Sequence, residues 1–296
     1  MSAPWLIVCA SFLFATMGVC VKLASAHYAA GEIVFYRGLT GALLMVAFTR
    51  WRRTSLKTRV PAMHFWRSAT GVVSLCLWFY ALGNLPLATA MTLNYMSSVW
   101  MALFLIGGAI GAGAARIDGR AVAAVLLGFA GVALVLRPTI DQQQLWHGVM
   151  GLMSGMFAAT AYLQVTVLGR AGEPDERIVF YFSLGSVAAG ALTLLWSGLH
   201  AHTPAGLAQL LAVGVLATVA QWMMTRAYST GRTLVNASLQ YLGIAFSFAY
   251  GVLLFDDRVT WLALLGMVLI VGAGLFATLL RSRSVAHDPG RAPAES

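Results

Sequence analysis

Apolar residues along this chain gather into long runs separated by short polar clusters. Ten runs stand out, at positions 4–24, 32–49, 62–82, 87–108, 120–136, 147–168, 178–198, 206–226, 233–255 and 261–280. Each approaches the roughly 20 residues that an α-helix needs to cross a hydrocarbon core of about 30 Å. Backbone groups in lipid must be satisfied within their own segment, which restricts spans of this length to helices. The pattern predicts an all-α polytopic membrane protein with ten transmembrane helices, and the short links leave no room for an aqueous domain.

Composition agrees. Hydrophobic residues make up 59% of the chain and charged ones 10%, against roughly 45–50% and about 25% in soluble domains, and the mean hydropathy is +0.79. Ala24-Ser25-Ala26 has the small-x-small form of a signal-peptide cleavage site, but no basic residue precedes the first run, so its retention as a helix is favoured. Residues 282–296 are polar and Pro-containing and are expected to form a disordered tail. Cys9, Cys20 and Cys76 all fall inside apolar runs and suggest neither a disulfide framework nor a paired-cysteine metal site.

The net charge of +9 is unevenly placed. With alternate loops on alternate sides, Arg50, Arg52, Arg53, Lys57, Arg59, Arg177 and Arg226 are among many cations on one side, and only Lys22, Arg37, Arg137 and Arg258 flank the other. This is the positive-inside pattern of a bacterial inner-membrane protein with both termini cytoplasmic. Topology accounts for the charge without a nucleic-acid partner. The partner is the bilayer, whose anionic headgroups suit the basic loop at 49–59.

The chain also repeats itself. "IVFY" occurs at 33–36 and again at 178–181. An offset of 146 lays 81–98 on 227–244 without a gap, pairing Ala81 with Ala227, Asn94 with Gln240 and Tyr95 with Tyr241. Residues 126–136 resemble 264–274, the eight-residue slip falling in the Gly-rich loop at 107–119, and "FLFATMG" resembles "GMFAATAY" near the start. The matches keep their order, so residues 1–138 read as a first five-helix repeat and 139–281 as a second. Five is odd, so the second copy enters the membrane from the opposite side. The expected build is a 5+5 inverted-topology repeat, recurrent in secondary transporters that hold substrate near the midplane.

Several stretches carry a family resemblance. "FYRGL" opening the second helix, "YALGNLPLATAMTLNY" as helix, turn and helix, and "LLFDDRVTWLALLGMVLIVGAGLF" closing the hydrophobic part resemble the drug/metabolite transporter superfamily, EamA type, over nearly the whole chain. Within it, the chain is most similar to the YddG-type exporters of aromatic and other amino acids. The resemblance implies amino acid export by alternating access. Members commonly place an acid before the last helix, matched by Asp256 and Asp257, whereas the first repeat has Arg116 and Asp118 there.

Polar side chains at membrane depth usually face a bundle interior or a wet cavity. Asn94, Ser98 and Met101 share one face of the fourth run, and Asn236, Gln240 and Ser247 one face of the ninth. These two faces are expected to meet across the repeat axis, although any one of these groups could equally serve as helix-to-helix glue. Phe157, Thr160 and Gln164 on the sixth run and Gln221 on the eighth extend the candidate site. Trp5, Trp51, Trp66, Trp146, Trp196 and Trp261 lie near span ends and suit the interfacial belt. Trp78, Tyr80, Trp100 and Tyr162 lie deeper, as candidate stacking surfaces for a flat substrate. Trp100 sits about 120° around its helix from Asn94, which leaves a neighbouring helix or lipid as its alternative target.

Absences shape the expected mechanism. No Asp or Glu lies mid-span, so the carboxylate relay common in proton antiport is missing, and facilitated export is favoured. Arg37 reads as a cation snorkelling to the interface. The central spans are read as free of Lys and Arg and the passage as uncharged. His200 and His202 read as surface histidines, so no metal site is expected; there is no P-loop, and the serine of "GLMSG" lacks a histidine. The chain is therefore expected to be no enzyme and to use no cofactor. The rival reading is export of organic cations or other small metabolites, which cation–π contact with the aromatics would suit. A monomer is favoured over a homodimer.

Overall fold

A computed structural model describes residues 3–111, 142–230, 239–257, 260–262 and 264–273, with the separate positions 123, 126–128, 130, 131, 134 and 236. The described elements are helices: α1 (Ala3–Ala24), α2 (Ala30–Arg52), α3 (Pro61–Asn84), α4 (Leu87–Tyr95), α5 (Ser97–Gly111), α6 (Gln142–Arg170), α7 (Asp175–Ser197), α8 (Pro204–Thr230), α9 (Leu242–Phe255) and the short α10 (Leu264–Ala273). Most of the predicted fifth span, Arg116 and Asp118, and the tail at 282–296 lie outside the described residues. Among the described residues, five helices are long and apolar enough to cross a membrane: α1, α2, α7, α8 and the Leu145–Arg170 part of α6.

Local chemistry sets the helix ends. Pro61 occupies the first turn of α3, where its missing N–H costs nothing. Asp175 and Glu176 open α7, where the helix dipole favours negative charge. Pro86 separates α3 from α4.

The fourth run, expected as one helix over 87–108, is instead broken at Met96 between α4 and α5. The break sits where α6 comes closest. A Cβ added to Gly155 would lie 2.7 Å from the Leu93 carbonyl oxygen and 2.9 Å from that of Asn94. The ninth run has a matching interruption at Tyr241, a turn residue just before α9.

Helices of the first half pack chiefly on helices of the second: α2 along α7, α3 on α6 and α1 on α8, while α4 touches both α6 and α9. Small residues permit the α2·α7 approach. At Gly38 an added Cβ would lie 2.7 Å from the Val187 nitrogen and 2.8 Å from the Ser183 oxygen, so backbone meets backbone. Apolar side chains such as Leu43, Leu195, Leu253 and Val268 face outward, and all six belt tryptophans are exposed. Asn94, Ser154, Gln221 and Gln240 are buried. Polar inside and greasy outside suits lipid as the surrounding solvent.

The two ends of the bundle are tied by different contacts. At one end Arg52 pairs with Glu176 at 2.8 Å and Arg226 with Asp175 at 3.0 Å. Glu173 there accepts from His64 and Arg177, both at 2.9 Å, and from Thr58 at 3.1 Å. Arg177 also donates to the Ser55 carbonyl at 2.7 Å, docking the α2–α3 connection on the α6–α7 connection. Burial pushes the Glu173 carboxyl up, but the bonds from His64, Arg177 and Thr58 outweigh it and hold the group below its ordinary value. At the other end His200 meets Glu32 at 2.8 Å and Tyr36 meets His202 at 2.8 Å. Lys22 there approaches Asp257 at 3.4 Å. Asp257 also accepts the Leu87 N–H at 2.9 Å, satisfying an orphan donor at the start of α4.

Candidate substrate cavity

Between the halves lies a cavity with about 530 Å³ of empty space, its open mouth included. Helix α4 brings Asn94 and Tyr95 to it, the ninth run brings Gln240 just before its turn at Tyr241, and α8 brings Gln221. Trp78 of α3 and Tyr162 of α6 supply aromatic wall, with Phe14 and Phe182 beside them. Five predicted site residues, Trp78, Asn94, Tyr162, Gln221 and Gln240, therefore come together. The repeat mates Asn94 and Gln240 do meet in one space.

Their bonding is specific. Asn94 Nδ2 donates to Ser154 Oγ at 3.0 Å, and Ser154 Oγ donates to the Gly151 carbonyl at 2.6 Å. Gln240 Oε1 accepts from the Tyr228 hydroxyl at 3.0 Å. Tyr228 is stacked on Tyr162 with ring centroids 5.6 Å apart and planes inclined by 9°. Trp78 Nε1 and Gln221 Nε2 are buried without a partner.

The remaining predicted residues lie outside the cavity wall, and most are occupied elsewhere. Ser247 Oγ donates to the Gly243 carbonyl at 2.6 Å and Thr160 Oγ1 to the Phe157 carbonyl at 2.8 Å, so each hydroxyl is satisfied within its own helix. Asn236 Nδ2 donates to the Ala227 carbonyl at 2.6 Å, near the end of α8. Gln164 accepts from Thr70 at 3.4 Å. Tyr80 packs on His147 and Trp100 on Phe104. Met101 is buried beside Ala159, Ser98 is buried on α5, and Phe157 is half-buried on α6.

Two expectations need correction. Arg37 does not snorkel: it is 4% exposed and lines the cavity. Nor is the passage uncharged, because Arg67, 3% exposed, lines it too. Their guanidinium carbons lie 4.8 and 4.1 Å from the centre of the Phe182 ring. Both residues enter their helices within two turns of an end, a position from which sequence reading assigns a cation to the interface. The signal that would have found them is side-chain reach. Phe182 lies deeper than either helix end, and a guanidinium on a long stem can follow it inward.

Among the described residues, a helical bundle with an apolar exterior and a polar central cavity between its halves is the build of a polytopic membrane protein that can hold a solute. The chain belongs to the EamA-like transporter family, whose model matches residues 1–137. It is 34% identical to the pseudopaline exporter CntI of Pseudomonas aeruginosa over 92% of this chain and 94% of the relative. It is 26% identical to a riboflavin transporter of Rhizobium johnstonii over 75% and 72% of the two chains. It is 19% identical to an S-adenosylmethionine uptake transporter of Rickettsia bellii over 83% and 82%. A solved crystal structure covers 95% of this chain and 98% of its own at a TM-score of 0.68 and 19% identity, a likeness of fold. These relatives are named as transporters or exporters, and this chain is a small-molecule transporter rather than an enzyme.

Proposed function

We propose that the protein exports amino acids and their close derivatives, aromatic ones included, across a bacterial inner membrane by alternating access. The single observation that carries this reading is the cavity. It joins guanidinium groups suited to a carboxylate, the amides of Asn94, Gln221 and Gln240, and aromatic walls at Trp78 and Tyr162. An amino acid presents those features in one small body. The relative named as a pseudopaline exporter supports the outward direction. Organic cations, the rival class, meet two positive charges at Arg37 and Arg67 and are disfavoured.

Alternating access calls for two halves with similar conformational options. An exchange of residues 1–138 with 139–281 turns the α3·α6 contact into the α8·α1 contact and returns α2·α7 to itself, which supports a 5+5 inverted repeat. The family match also ends at 137, next to that boundary. No described carboxylate lines the cavity, which favours facilitated export over a carboxylate-relayed proton antiport.

Counterflow of labelled tryptophan in proteoliposomes, with and without a pH gradient, tests the reading. Saturable counterflow that ignores the gradient is expected, with a drop of roughly tenfold or more in Asn94→Ala and Gln240→Ala. Wild-type rates in both variants would remove the cavity from the transport path.

A further inference from the structure

Arg37 and Arg67 stand in the cavity without a counter-charge. Neither makes an ion pair among the described residues, whose acids Glu32, Glu173, Asp175, Glu176, Asp256 and Asp257 all sit at or near helix ends. Arg37 Nε and both Nε and Nη1 of Arg67 are buried without a hydrogen-bond partner. The two guanidinium groups share one aromatic ring, that of Phe182, with their central carbons 4.8 and 4.1 Å from its centre. Contact with the ring face offsets part of the loss of water but supplies no acceptor for the N–H groups.

Buried charges are ordinarily paired, and polar groups at membrane depth mark substrate paths. The missing partners here are anionic oxygens. Counting charge then narrows the substrate. A zwitterion brings one carboxylate and one ammonium, and so leaves the two cations uncompensated in a medium of low dielectric. A dianion cancels them, each carboxylate accepting from one planar donor fork.

We propose that Arg37 and Arg67 form a dicarboxylate subsite, so that the preferred cargo is a compact dianionic amino acid derivative with two carboxylates and no charged amine. Its body lies against Trp78 and Tyr162, and Asn94, Gln221 and Gln240 take its remaining polar groups. This rests on the reading of the cavity as the transport site. It separates that cargo from neutral aromatic amino acids and from cations.

The purified protein in detergent is melted with phthalate (an aromatic dicarboxylate), phenylalanine (a zwitterion) or phenethylamine (a cation), and each is used to inhibit tryptophan counterflow. Phthalate is expected to raise Tm and to inhibit at concentrations at least tenfold below the other two. That advantage should vanish in Arg37→Gln and Arg67→Gln and persist in part in Arg67→Lys. The empty Arg67→Gln protein should also melt above wild type, because an uncompensated buried charge has gone. Phthalate performing no better than phenylalanine on the wild type, or equally well on Arg67→Gln, would overturn the subsite. The Tm arm needs no transport. An Arg-dependent phthalate shift without counterflow would keep the anion subsite and remove the transport reading instead.

Discussion

Gln240 and Asn94 occupy repeat-related positions but are held differently, and the difference sets what each substitution does. Gln240 is the acceptor for a fully buried tyrosine hydroxyl, that of Tyr228. Gln240→Leu strands this donor and should lower stability by about 1–3 kcal/mol, read as a drop in Tm in detergent. Asn94 instead donates to Ser154, which retains its own bond to Gly151, so Asn94→Leu should cost about 1 kcal/mol or less. Glu173 gives a pH test. Its folded value lies below its unfolded value, so its contribution is present above the unfolded carboxylate range near about 4.3 and is lost as pH falls through the folded value. Tm should fall as the pH drops below about 4, and Glu173→Gln should flatten that fall. At this scale the amides were legible in the sequence, because an amide facing an amide at a constant offset is a rare coincidence. The arginines were not, because distance from a helix end reports where a backbone sits and not where a long side chain finishes.

Element by element, the interruption between α4 and α5 decides which groups reach the cavity. It puts Asn94 and Tyr95 on the cavity wall and leaves Ser98 and Met101, on α5, outside it. Nothing in "TLNYMSS" announces a break: the stretch has no proline or glycine. The feature that coincides with it lies about 60 residues away at Gly155, whose missing side chain lets α6 approach the Leu93 and Asn94 carbonyls. Gly155→Ala should therefore force α6 away from that turn. It should cost about 1–3 kcal/mol, visible as a lower Tm together with weakened counterflow. The same reasoning explains why a regular three- and four-residue spacing named more residues than line this cavity. Spacing assumes one continuous helix, and serines and threonines such as Ser247 and Thr160 bond within their own turn.

For the molecule as a whole, the hydrophobic runs coincide with helices wherever residues are described, with interruptions at Met96 and Tyr241, and the charge asymmetry grouped loops that the described contacts bring to one end. The contacts of Ser55 with Arg177 and of Glu32 with His200 place those loops at opposite ends of the bundle. Single cysteines at the exposed positions Lys57 and Ala201, in a background with Cys9, Cys20 and Cys76 replaced by alanine, make the sidedness measurable. Lys57→Cys should react with an impermeant maleimide only after the cytoplasmic face is opened, and Ala201→Cys in intact cells stripped of their outer membrane. The reverse pattern would invert the topology. The close α2·α7 contact has a mechanical consequence. Where Gly38 leaves no space between backbones, the two helices can turn slightly on each other but cannot part without opening a void that neither lipid nor water fills. If the proposed transport proceeds by rocking of one half on the other, this seam is where its axle is expected.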